Sequence, residues 1–206
     1  MTSVHSAAQT ALQLADWRAR VSALYDAVRA EIDPGAGHRI WRQGRTELFA
    51  THPQSPIAGN EELLATGVGY WPYDPAFRFT LEVLAAEPEG RVVDTGDDGT
   101  VTLRRIGRVE LPDPVGASLD VWTLGQYGAG LFVPLRDGTS GETSYGGGRY
   151  LLDTAKGAWL GGDDRSIVLD LNFGYHPSCR YDARWTCPLA PPGNTVTARV
   201  EAGERL

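Results

Sequence analysis

Lysine is almost missing from this sequence. Of its 19 basic residues only Lys156 is a lysine, so Schiff-base chemistry has one bearer at most. Cysteine is nearly as scarce, with Cys179 and Cys187 alone. No run of 18 apolar residues occurs, which predicts no membrane span. The start, Met1 to His5, lacks the charged and apolar regions of a signal peptide. A cytoplasmic location is therefore expected, with both cysteines as reduced thiols. A basic stripe is absent too. The net charge of −7 and pI near 5.1 argue against an electrostatic nucleic-acid surface. There is no Gly-x-Ser-x-Gly elbow, no Gly-x-x-x-x-Gly-Lys phosphate loop and no His-Glu-x-x-His pair. Nor is there an internal repeat or a low-complexity tract.

What remains is an ordinary globular composition, 42% hydrophobic and 22% charged over 206 residues, long enough for a real core. Residues 11–32 carry Trp17, Val21, Leu24, Tyr25, Val28 and Ile32 at three- and four-residue spacing, which predicts an amphipathic helix. Asp33-Pro34-Gly35 ends it. A second helix is expected over Arg39–Ala50, with Trp41, Leu48 and Phe49 on one side, and a helical turn over Glu61–Thr66 stopped by Gly67. From Phe77 the period becomes two: Phe77, Phe79, Leu81 and Val83 alternate with polar residues.

Strands are expected at Arg91–Val93 and Val101–Leu103 around a Gly96–Gly99 hairpin loop. Others fall at Gly107–Leu111, Leu119–Leu124, Gly130–Leu135, Arg149–Leu152, Ser166–Asn172 and Thr195–Val200. The fold class is mainly β (α+β): an antiparallel β-barrel or sandwich with an N-terminal helical cap. The cap would cover residues 1–66 and the β-rich core 67–206, as one structural unit.

The densest chemistry lies between Leu131 and Cys187. Gly146 to Gly148, flanked by Tyr145, Arg149 and Tyr150, read as a tight turn, a bulge or a close backbone approach. Arg136, Asp137, Tyr145, Arg149, Asp170, Asn172 and Tyr175 are the candidate ligand-binding residues. Arg136 and Arg149 would grip a carboxylate or phosphate with their planar forks. The competing reading is that Arg136, Asp137, Arg149 and Asp170 form an internal ion-pair network. Asp170 and Asn172, two apart on a strand, share a face. His176, Cys179 and Cys187 are weak metal-ligand candidates, because their spacing matches no strong zinc signature. The two cysteines would otherwise be buried thiols, a crosslink, or a nucleophile activated by His176 or an arginine. His52 and Ser55 make a bare His-x-x-Ser spacing, which is weak without a third orienting group.

Several stretches resemble the bacterial and archaeal family called domain of unknown function 1684. They are Trp41–Pro56, Gly67–Pro75, Gly107 with Leu111-Pro112, and Phe132–Asp137 with Thr139 and Gly141. Tyr145–Leu151 follows, then Asp170, Asn172, Tyr175, Pro177, Cys179, Tyr181, Cys187-Pro188, Pro191-Pro192, Asn194 and Ala202-Gly-Glu204. The resemblance runs from about Trp41 onward and implies no established activity. Tyr175-His176-Pro177 departs from it, since Tyr-Asn-Pro is the pattern expected there.

Three functions stay open. The first is a small-molecule-binding β domain for an anionic ligand, with or without catalysis. The second is a non-catalytic interaction or assembly module using the helical cap and its tryptophans. The third is a thiol-dependent redox or hydrolytic enzyme using Cys179 and Cys187. No cofactor is indicated. The expected partner is a small molecule rather than nucleic acid or membrane, and a homo-oligomer stays open.

Overall fold

The computed structural model describes residues 6–96, 99–125 and 128–206. Helix α1 (Ala7–Ala30) starts where the Ser6 hydroxyl accepts the Gln9 N–H at 3.2 Å. Helix α2 (Pro34–Thr51) follows after only three residues, because Asp33 caps it with both carboxylate oxygens and Pro34 occupies its first turn. The Asp33-Pro34-Gly35 breaker therefore ends one helix by starting the next. Ile32 is 95% exposed, so it does not continue the apolar face of α1. That face is Val21, Leu24, Tyr25 and Val28, packed on Trp41 and Phe173. Gly44 lets the helices touch: a Cβ there would lie 2.6 Å from Leu24 Cδ1. Trp17 packs on Phe49 and against the edge of His52. Helix α3 (Glu61–Thr66) is capped by Asn60 and stopped by Gly67.

The strands are β1 (Gly69–Tyr70), β2 (Arg78–Glu82), β3 (Gly90–Asp94), β4 (Thr100–Leu111), β5 (Ala117–Leu124), β6 (Leu131–Leu135), β7 (Arg149–Asp153), β8 (Ser166–Asp170) and β9 (Glu204–Arg205). Strands β3 to β7 form one antiparallel sheet in sequence order, β2 pairs with β8, and β1 pairs with β9. The sheets stack like a sandwich, and no closed barrel forms among the described residues. Val109, Leu119, Val121, Val133 and Leu135 of the large sheet bury Phe77, Ile167 and Leu169 beside the β2–β8 pair. The β4 half from Gly107 to Leu111 alternates in burial, whereas β6 and β7 are buried on consecutive residues and so are covered on both faces.

Three strand expectations change. Val101–Leu103 and Gly107–Leu111 are parts of the single long strand β4, whose register shifts between Arg105 and Gly107. The hairpin loop joining β3 to β4 includes residues 97–98, which lie outside the described residues. Ser166–Asn172 stops being a strand at Asp170, because Leu171–Phe173 turns into a 3-10 helix. Thr195–Val200 is no strand. It runs as an extended tail tied to Arg136 and Gly138 by backbone hydrogen bonds and one parallel bridge.

Candidate functional site

The glycine turn is set by its backbone. Gly148 has φ +86°, and a methyl group there would collide with the Leu135 carbonyl, so only glycine fits without strain. The turn delivers Arg149 into the interior, where it is 1% exposed. One guanidinium nitrogen donates to Asp137 Oδ1 at 2.9 Å and to the Val200 carbonyl at 2.9 Å. The other donates to the Ala202 carbonyl. Asp137 also accepts from the Thr139 hydroxyl and from the Val200 N–H at 2.7 Å. Arg149 and Asp137 thus bind each other and the C-terminal tail.

Asp170 and Asn172 form a second buried group. Asn172 Nδ2 donates to Asp170 Oδ1 at 2.8 Å, Arg78 reaches Asp170 Oδ2 at 3.1 Å, and the Tyr73 hydroxyl donates to the same oxygen. The two side chains meet because the chain turns after Asp170, not because they share a strand face. Burial raises the Asp170 carboxyl above its ordinary range, against the hydrogen bonds from Asn172 and Arg78. Tyr175 lies under Arg45 and against the edge of Tyr150.

Arg136 and Tyr145 stand apart from these groups. Arg136 is exposed and spends only its Nε on the Gly146 carbonyl, at 3.1 Å. The Tyr145 hydroxyl lies 4.0 Å from Cys179 Sγ. Cys179 and Cys187 are both free and half-buried, and near enough for their thiols to titrate as one pair. Within the pair Cys187 is drawn down, by Cys179 first and by the Lys156 ammonium, against the cost of burial. Cys179 is pushed up by Cys187 and by burial. The Tyr150 hydroxyl beside them donates to the Pro188 carbonyl at 2.7 Å.

His176 faces elsewhere. Its Nε2 accepts the Tyr145 N–H at 3.2 Å, and its Nδ1 looks toward the Tyr181 hydroxyl and Glu204. Burial lowers the imidazole to about 4, outweighing the Glu204 carboxylate, with Arg149, Arg180 and Arg45 adding to the effect. His176 is thus committed away from the thiols, and among the described residues no three His, Cys, Asp or Glu side chains group as metal ligands. The side chains of His52 and Ser55 do not hydrogen-bond each other: His52 Nδ1 accepts the Gln54 N–H, and Ser55 Oγ accepts the Ile57 N–H.

Glu204 is a buried residue that sequence reasoning gave no role. It is fully buried, accepts from Arg45 Nε at 2.5 Å, the His176 N–H at 2.6 Å and the Tyr181 hydroxyl at 3.0 Å. Its carboxyl sits below the usual range because Arg45 and His176 outweigh burial. Arg45 and Glu204 are 159 residues apart, and no local pattern links them. Lys156 was visible as the one lysine, but its place beside Cys187 was not.

No curated protein matches the chain. A solved structure that does is the solution NMR structure of an uncharacterized protein from Haloarcula marismortui. It is 34% identical, covers 80% of this chain and 90% of that one, and superposes with a TM-score of 0.58. The protein family of unknown function DUF1684 matches residues 65–205, so its match starts later than Trp41 and takes in the glycine turn, both cysteines and Glu204. The chain belongs to the DUF1684 family.

Proposed function

We propose that the protein acts on a small anionic molecule through its paired thiols. Cys187 is the attacking thiolate and Cys179 the resolving thiol. The observation that carries this is a pair of free, half-buried cysteines with the Tyr145 hydroxyl 4.0 Å from Cys179 Sγ, their thiols titrating together and Cys187 drawn down by Cys179 and Lys156. That is the arrangement dithiol–disulfide exchange needs. Arg136, with Nη groups not spent on Gly146, and the nearby Arg180 select for negative charge on the substrate. Tyr145 flanks the sulfurs. Asp137, Arg149, Asp170, Asn172 and Tyr175 hold the walls and do not touch the substrate.

In the proposed reaction the Cys187 thiolate attacks one sulfur of a small disulfide. A Cys187 mixed disulfide forms and one substrate thiolate leaves. Cys179 then loses its proton and attacks the Cys187 sulfur, expelling the second substrate thiolate. Two electrons pass to the substrate, and an external dithiol resets the protein.

The test is incubation of the reduced protein with 3,3′-dithiodipropionate and with neutral bis(2-hydroxyethyl) disulfide, followed by intact mass. The expected product is the protein less two hydrogens. Cys179→Ser should trap the mixed disulfide, and Cys187→Ser should block it. Arg136→Gln should slow the anionic reagent about tenfold and leave the neutral one unchanged. Failure of Cys179→Ser to trap an adduct, or equal slowing of both reagents, would overturn the reading.

A further inference from the structure

Away from the thiols, α2 and α3 enclose an apolar cleft of about 170 Å3. Its walls include Phe49, Ile57, Leu63, Val68 and Tyr70. Thr46 and Ala50 line this cleft and also a wider groove that continues along α2 past Gln43, Arg42 and Arg39. An apolar slot therefore opens onto a mainly cationic channel, with Glu47 as the one acid along it.

The charges at the mouth are unequal. Arg39 pairs with Asp33 and Arg45 with Glu204, whereas Arg42 has no carboxylate partner among the described residues. The Arg42 guanidinium sits 4.7 Å over the Tyr70 ring, which holds the cation where slot and channel meet. The Tyr70 hydroxyl is buried and makes no hydrogen bond.

The geometry points to a second ligand site, for a medium-chain carboxylate whose hydrocarbon tail fills the α2–α3 cleft and whose head group meets Arg42. It is independent of the thiol pair. The apolar walls supply affinity without direction, and the cation supplies the choice of head group. An alcohol of equal length would fill the same slot but lose the charge-assisted contact.

The test titrates the intact protein with hexanoate, octanoate, decanoate and decanol by calorimetry, below the concentrations at which they form micelles. Affinity should rise about three- to fourfold per methylene along the carboxylates. Arg42→Gln should weaken octanoate and decanoate about tenfold while decanol is unaffected. Ala50→Trp, at an exposed position on the cleft wall, should fill the slot and abolish binding with the melting temperature unchanged. The site is overturned if decanoate does not bind, if affinity is indifferent to chain length, or if Ala50→Trp binds as well as the parent. It is equally overturned if Arg42→Gln weakens decanol and decanoate alike.

Discussion

Arg149 shows how one side chain can look functional in sequence and be structural in space. Its flanking glycines and tyrosines suited a ligand clamp equally well, but its acceptors are Asp137 and tail carbonyls such as Val200, 51 residues later. Contacts that distant leave no periodic trace. Removing the cation would strand the Asp137 carboxylate and the tail carbonyls in a dry interior. Arg149→Met should therefore cost about 3–5 kcal/mol, read as a lowered urea midpoint. Arg149→Lys should recover little of it, since a lysine cannot span both acceptors with a planar fork. A loss within experimental error would show that the tail is held by other contacts.

Among the elements, the helices and most strands were legible because each depends on neighbours in sequence. The breaker Asp33-Pro34-Gly35 and the two-residue alternation from Phe77 are local signals, although Asp33 also caps α2 and so starts it at Pro34 rather than Arg39. The tail was not legible. Thr195–Val200 has the composition of a strand, yet it pairs through single bonds to Arg136 and Gly138 rather than along a ladder. The turn that aims Arg149 depends on Gly148, which holds a positive φ against the Leu135 carbonyl. Gly148→Ala should destabilise by more than about 1 kcal/mol, and Gly146→Ala, with no contact closer than 3.7 Å, by much less. Equal costs measured by thermal melting would refute the special role of residue 148.

For the whole molecule, acid is the expected weakness. Burial holds both His38 and His176 down to about 4 in the folded chain, against about 6.5 when unfolded. Between those values the unfolded chain binds more protons, so stability falls as the pH drops from 6.5 and the loss levels off below 4. Each histidine contributes on the order of 3 kcal/mol to that loss. Glu204, lowered by Arg45, loses its stabilisation as the pH falls further, while Asp170, raised by burial, acts in the opposite sense. His176→Asn, which restores the Tyr-Asn-Pro pattern, should flatten the acid limb of a stability–pH curve. An unchanged slope would mean that His176 is protonated in the folded protein.

The thiol pair ties the glycine turn, the 176–189 segment and Lys156 into one functional claim. Its most direct test is the rate of iodoacetamide alkylation at Cys187 against pH, resolved by peptide mass. The rate should rise with a midpoint below the ordinary cysteine value, and Cys179→Ser should move that midpoint up, because the Cys179 thiol is the largest cause of the acidity. A midpoint at the ordinary cysteine value near 8.5, indifferent to Cys179→Ser, would contradict a dithiol centre.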